Sequence, residues 1–337
     1  MNAPIRIGIL GVGRIGELHA RLIAREVPGL ALAGVFDVDP AAAARVGGEL
    51  GVEVARSADE LMTSATTDAI AICSSTDTHV DLVVGAATTG KPVFLEKPVS
   101  LELDEVDRAL AAVERAGSFV QVGFNRRFDP GHASVRAAIG DGEIGELHLL
   151  RISSRDPSPP PLSYVRSSGG IFLDMTVHDF DMARYLTGSE VEEVYALGDV
   201  RVDPEIGEAG DLDTVVVVLR HSDRTLTTID NSRRAVYGFD QRLEAFGSGG
   251  MATSANPYAH MGSVTTETGT KTQPLPYFFL ERYVPSYFVQ WSAFERAVRA
   301  EAPSPVTGRD GRAALVAGIA AWRSVREGRP VQTAEIG

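Results

Sequence analysis

Along the first 120 or so residues, apolar and polar positions keep a βαβ rhythm. "IRIGIL" reads as a strand, "ELHARLIARE" as the helix after it, and "LALAGVFD" as the next strand. Further strand-like runs, "DAIAICSS", "KPVFLEKP" and "SFVQVGFN", alternate with the helical stretches "HVDLVVGAATTG" and "LDEVDRALAAVERAG". Strands separated by helices predict a doubly wound parallel sheet. Beyond "QVGFNRRFDPG" the rhythm changes. The runs "ELHLLRISS", "EVEEVYALGDVRV", "DTVVVVLR", "RTLTTIDNS" and "QRLEAFGSGG" have no helices between them, which predicts a mainly antiparallel sheet covered on one face. The expected division is 1–124 for the α/β domain and 125–337 for a second, α+β domain. Within the latter, "RDPSPPPLSY" is expected to be an ordered loop, and "RDGRAALVAGIAAWRSVREGRP" a closing amphipathic helix ended by Gly328 and Pro330.

One stretch breaks the usual partition of polar and apolar faces. In "GGIFLDMTVHDFDMARYL", at about 100° per residue, Asp174, His178, Asp181 and Tyr185 share a narrow stripe of a helix that is otherwise apolar nearly all round. A buried carboxylate and imidazole one turn apart must be paired, or must face a polar cleft, because an unpaired buried charge is costly or shifts its pKa. Both readings stand on this stretch alone.

The start of the chain carries more specific chemistry. "GVGRIG" spaces Gly11, Gly13 and Gly16 as G-x-G-x-x-G between a strand and a helix, with Arg14 and Ile15 inside the motif. The glycines suit a tight turn, close approach of backbone to a pyrophosphate, and close helix–strand packing, with phosphate charge at the helix N-terminus. Asp37 ends the second strand about 20 residues later, where a carboxylate binds ribose hydroxyls and repels a 2′-phosphate. NAD is therefore expected over NADP. Ligands of such sheets lie at the carboxyl ends of the strands, which brings in Ser74, Ser75, Thr76, His79, Glu96 and Lys97. Ser75 and Thr76 are also suited to capping the next helix, His79 to packing at its start, and Glu96 to pairing with a cation.

Composition narrows the partners. A net charge of −13 and a pI near 5.0 disfavour nucleic acid and anionic membrane surfaces, leaving a small molecule. Cys73 is the only cysteine, which excludes an internal disulfide and cysteine-rich metal sites, so no metal is expected. No secretion signal or long apolar run is apparent, and a reducing cytoplasm is the expected location. Three of the 32 basic residues are lysines, Lys91, Lys97 and Lys271. Lys97, at a strand end before Pro98, could stabilise an alkoxide beside a nicotinamide.

Taken together, "GILGVGRIG", "FLEKPVS" and "GGIFLDMTVHDFDMARYL" resemble the glucose–fructose oxidoreductase and inositol dehydrogenase family, from about Ile5 to Pro330. "VGFNRRFDP", "SRDPSPPP" and "YGFDQR" are similar to its inositol-oxidising branch, with Asn125 where a methionine is expected. The resemblance implies an N-terminal Rossmann domain, a large open-faced second sheet, and NAD-dependent oxidation of a cyclic polyol, myo-inositol to 2-keto-myo-inositol. Scyllo-inositol, chiro-inositol or an aldose such as glucose are the alternative substrates, and a non-catalytic NAD-binding regulator is the alternative class. It also implies a catalytic set of Lys97, Asp174 and His178, with Lys97 on the reacting hydroxyl and His178 as general base. Arg127, Asp156, Tyr237 and Tyr283 are implied as further substrate contacts, and a homotetramer formed through the open sheet face as the assembly.

Overall fold

A computed structural model describes residues 3–337, which divide into two compact units: 3–125 with 285–313, and 126–284 with 314–337. The first crossing lies one residue from the expected 124/125 division. The return of 285–313 to the first unit was not anticipated, because helical periodicity does not say which core a helix joins.

In the first unit six strands, β1 (Ile5–Leu10), β2 (Leu30–Phe36), β3 (Glu53–Val54), β4 (Ala69–Ile72), β5 (Val93–Leu95) and β6 (Val120–Val122), form a sheet in the order β3-β2-β1-β4-β5-β6. Every pairing in it is parallel. The strands are almost wholly apolar, as a sheet covered on both faces requires. Crossovers run through α1 (Arg14–Arg25), α2 (Pro40–Leu50), α3 (Ala58–Thr63), α4 (Thr76–Thr88) and α5 (Leu103–Arg115). The order reverses between β1 and β4, and dinucleotides bind doubly wound sheets at such a switch point.

The second unit opens with α6 (Pro130–Gly140), capped by the Asp129 carboxylate. Strands β7 (Leu147–Arg155), β8 (Val191–Asp199), β9 (Thr214–His221), β10 (Leu226–Ser232), β11 (Asp240–Gly247) and β12 (Met251–Ser254) build the larger sheet, which a late two-residue strand, Val331–Gln332, completes beside β8. All its pairings are antiparallel except β7 with β10. Alternation along β9 is complete: Val215, Val217 and Leu219 are buried, while Val216 and Val218 are exposed. With Leu197, Leu226, Phe246 and Met251, these give the uncovered face an apolar surface.

Between β7 and β8 lie α7 (Leu162–Val165), α8 (Ile171–Asp174) and α9 (Val177–Thr187), followed after β8 by α10 (Pro204–Glu208). The single helix expected over 171–186 is thus two pieces broken at Met175–Thr176. Thr176 marks the break: its hydroxyl donates its one proton to Asn231 Oδ1 (2.5 Å) and lies 3.2 Å from Ile171 O, which already accepts the Met175 and Thr176 amides, so the side chain is tied to β10 instead of to a regular helical turn. The closing helix, α11 (Gly308–Glu327), forms as expected and ends at Gly328, whose φ of +64° is the left-handed geometry of a helix stop.

Candidate active site

At two of the three motif glycines, Gly11 and Gly16, the backbone leaves no choice of residue. A Cβ on Gly16 would sit 2.0 Å from Gly11 O, and one on Gly11, at φ +92°, 2.5 Å from the Ser74 amide. At Gly13 a Cβ would meet nothing within 4 Å, so the open side of the turn lies there, directly at the N-terminus of α1. The first intrahelical bond runs from Glu17 N–H to Gly13 O, so the amides of Arg14, Ile15 and Gly16 precede it, as an anion site needs. Asp37 braces this loop, its Oδ2 accepting the Val12 amide at 2.7 Å. These residues fit a dinucleotide: an open, glycine-lined turn, a helix N-terminus, and a carboxylate ending β2.

At the ends of β4 and β5 the expected residues divide by task. Ser75 occupies the N-cap position of α4 but its hydroxyl makes no capping bond, while the Ser74 and Thr78 hydroxyls are hydrogen-bonded to each other at 2.7 Å. His79 is 1 % exposed and ties two strand ends together, Nδ1 to Pro98 O (2.8 Å) and Nε2 to Ser74 O (3.1 Å). Burial lowers its pKa. Glu96 accepts from His19 Nε2 at 2.7 Å and from the Lys97 amide at 3.2 Å. The Trp291 indole N–H, which can only donate, reaches His19 Nδ1 at 2.9 Å, so the imidazole proton lies on Nε2 and points to Glu96. Glu96 therefore anchors the backbone just before Lys97, and the Lys97–Pro98 bond is cis. Burial also pushes the Cys73 thiol up, away from reactivity.

The second unit holds the polar stripe. Asp174, at the end of α8, accepts from Tyr164 Oη (2.8 Å) and Arg233 Nη1 (3.3 Å) and stays partly open to solvent. His178 stands in the first turn of α9 and is half-buried. Its neighbours are anchors. Asp179 accepts from Arg126 (2.7 Å), Ser154 (2.6 Å) and Asn231 (2.8 Å), pinning α9 to β7 and β10. Burial pushes its carboxyl up, opposed first by Arg126. Asp181 takes Arg127 through Nε and Nη2 (2.8 and 2.6 Å), with that guanidinium 5.2 Å from the Tyr185 ring centre. Arg127 is thus buried in a two-pronged pair.

Asp156 is held at its backbone by Ser232 and Ala235. Tyr237 donates to Asp240 (2.7 Å) and accepts from Arg155 (3.0 Å), joining the ion pairs around Asp230. Tyr283 is 2 % exposed against Phe239, and burial pushes its hydroxyl up to about 12. Asn125 donates to Ser286 Oγ in the first unit. Sequence reasoning missed Tyr164, Asp211 and Arg233, and also the His19–Trp291 pair. No spacing signals them: Arg233 is fully buried beside an exposed Arg234, and nothing local separates the two.

Residues 5–124 match the oxidoreductase family described by its NAD-binding Rossmann fold, and residues 132–253 match the GFO/IDH/MocA C-terminal domain. The chain belongs to the GFO/IDH/MocA oxidoreductase family. It is 48 % identical to a myo-inositol 2-dehydrogenase of Thermotoga maritima over 98 % of this chain and 99 % of that one. To an inositol 2-dehydrogenase of Rhizobium meliloti it is 44 % identical, over 98 % and 99 % of the two chains. A scyllo-inositol dehydrogenase from Lactobacillus casei, solved with NAD(H) and scyllo-inositol, superposes with a TM-score of 0.92 at 31 % identity, covering 98 % of this chain and 99 % of that one. As a GFO/IDH/MocA oxidoreductase, the protein uses NAD, and its first unit is the NAD-binding domain.

Proposed function

We propose that the protein oxidises a ring hydroxyl of an inositol, with myo-inositol becoming 2-keto-myo-inositol (scyllo-inosose). The observation that carries this substrate is the 48 % identity, end to end, to a protein named for that reaction. Likeness to a scyllo-inositol dehydrogenase favours scyllo-inositol as the second reading.

NAD, when bound, supplies the hydride acceptor. Gly11, Gly13, Arg14, Ile15 and Gly16 hold its pyrophosphate and Asp37 its ribose hydroxyls, with Ser74, Ser75, Thr76, His79, Glu96 and Lys97 around the rest. The Lys97 ammonium binds the reacting hydroxyl and stabilises negative charge growing on its oxygen. His178 accepts the hydroxyl proton as the carbon gives up its hydride, which leaves a ketone. Asp174 accepts a hydrogen bond from a neighbouring ring hydroxyl. Arg127, Asp156, Tyr237 and Tyr283 supply or support contacts to the remaining hydroxyls, which a polyol ring presents on all sides. The apolar open face of the second sheet serves a homotetramer in the cytoplasm, since so much contiguous apolar surface marks an interface. A monomer by light scattering would reject that assembly.

The deciding experiment is the initial rate of NAD reduction with myo-, scyllo- and chiro-inositol and with glucose, and NADP as the control. Saturable turnover fastest on myo-inositol with NAD is expected. A rate tenfold higher on glucose, or none on any polyol despite NAD binding, would overturn the reading.

A further inference from the structure

The turn that carries Asp174 is too short to hold itself. α8 is four residues long, and an isolated turn fixes many dihedrals for few hydrogen bonds. What fixes it comes from elsewhere in the unit. Asp211 Oδ1 accepts the Ile171 amide at 2.9 Å, the first of α8. Asp211 Oδ2 accepts from Arg233 Nη2 at 3.1 Å, and Arg233 Nη1 reaches Asp174 Oδ2 at 3.3 Å, at the far end of the same turn. One guanidinium, 0 % exposed, thus bridges two carboxylates that hold opposite ends of α8.

Gly170 makes room for this closure. Its φ is +80°, and a Cβ there would lie 2.7 Å from Asp211 Oδ1 and 2.6 Å from Trp322. Trp322 in turn packs edge-on against Phe172 of α8 and donates its indole N–H to Gly169 O at 3.2 Å. Arg233 is anchored as well, its amide donating to Asp213 O at 2.8 Å. The charged and titratable groups that face Asp174 include Tyr164 from α7 and Arg233 just past the end of β10, with Asp211 behind Arg233 and His178 one turn further along its own segment.

We propose that Arg233, backed by Asp211, is the positioning residue of the active site: it holds the Asp174 carboxylate in place and aims it at the substrate. This rests on the reading of Asp174 as a substrate-holding carboxylate. A buried guanidinium stabilises a carboxylate that it touches, and the opposing Asp211 divides that stabilisation. Removing the cation must therefore raise the pKa of any group titrating around Asp174, and removing the Asp211 charge must lower it.

The test is kcat/KM for myo-inositol against pH in the NAD-saturated enzyme, for Arg233→Gln, Arg233→Lys and Asp211→Asn, with NAD affinity measured alongside. In Arg233→Gln the acid limb should move up by about one pH unit, a size ordinary for losing an adjacent opposite charge. Asp211→Asn, which retains an acceptor for the Ile171 amide, should move it down, and Arg233→Lys should restore the limb, all with NAD affinity unchanged. A uniform loss of rate with an unmoved limb would make Arg233 merely structural and overturn the proposal. If Arg233→Gln does not fold, an unmoved limb in Asp211→Asn overturns it equally. Wild-type enzyme inert on every inositol would instead reject the substrate reading. Crystal structures of the Arg233 variants then decide the clamp on their own: the Asp174 carboxylate should keep its place in Arg233→Lys and leave it in Arg233→Gln, and a carboxylate unmoved in the latter refutes the clamp.

Discussion

His178 is the residue on which the proposed chemistry turns. It heads α9, the helix that Asp179 and Asp181 fix through Arg126 and Arg127, so the imidazole sits on a rigid mount. Replacing it with alanine should lower kcat by ~10²-fold or more, the usual loss for a general base, while NAD affinity is kept. Steady-state kinetics beside a cofactor titration checks this, and near-normal turnover would remove the base assignment. At this scale the sequence discloses residues whose role is local. The glycine spacing and Asp37 are legible because each answers to backbone a few residues away or to a fixed strand-to-strand offset. Glu96 is less so: adjacency suggests a partner for a lysine cation, yet its carboxylate is taken by His19, 77 positions earlier in the chain. Arg233 and Asp211 are illegible for the same reason, since their partners lie far off along the chain.

Elements follow the hydrophobic pattern closely where the pattern is a property of one strand. All five long runs of the second half become strands, because alternation reports a half-covered sheet whatever the neighbours are. Which strands lie side by side is a different matter, and the one parallel pair, β7 with β10, leaves no mark in either strand's own sequence. The break between α8 and α9 is subtler. Apolar periodicity runs straight through Met175–Thr176, and only the tertiary acceptor Asn231 gives the Thr176 hydroxyl a reason to interrupt the helix. Thr176→Val tests that account. The substitution keeps the shape but leaves Asn231 Oδ1 without this donor, so stability should fall by about 1–3 kcal/mol, the usual loss for an orphaned buried polar group. Inositol turnover should fall further than NAD affinity, because the break sets the offset between Asp174 and His178. Thermal unfolding at wild-type temperature would show that the hydroxyl does not hold the break.

For the molecule as a whole, acid should unfold the chain through its buried histidines. His79 in the first unit and His132 and His221 in the second all have pKa values lowered chiefly by burial, His132 to about 4. His132 sits beside Ser254 Oγ at 2.9 Å, and although Asp129, 3.6 Å from its Nδ1, favours the cation, burial outweighs it and Arg282, bound to the same carboxylate, opposes it further. A histidine whose folded pKa lies below that of the unfolded chain gains its proton on unfolding. Its contribution is intact above the unfolded value of about 6.5 and is lost as pH falls toward the folded value. Relief of self-repulsion in a chain of net charge −13 works in the opposite direction over the same range. Salt separates the two, because exposed charges are largely screened beyond ~10 Å at 0.1 M while buried imidazoles are not. Urea midpoints measured from pH 7.5 down to 4.5 in moderate salt should therefore decline steadily below about 6.5. His132→Gln should flatten the lowest part of that decline, since a neutral amide has no proton to gain. A midpoint constant across the range would mean that these imidazoles gain no proton on unfolding there, and a slope that His132→Gln leaves untouched would assign the acid response to groups other than His132.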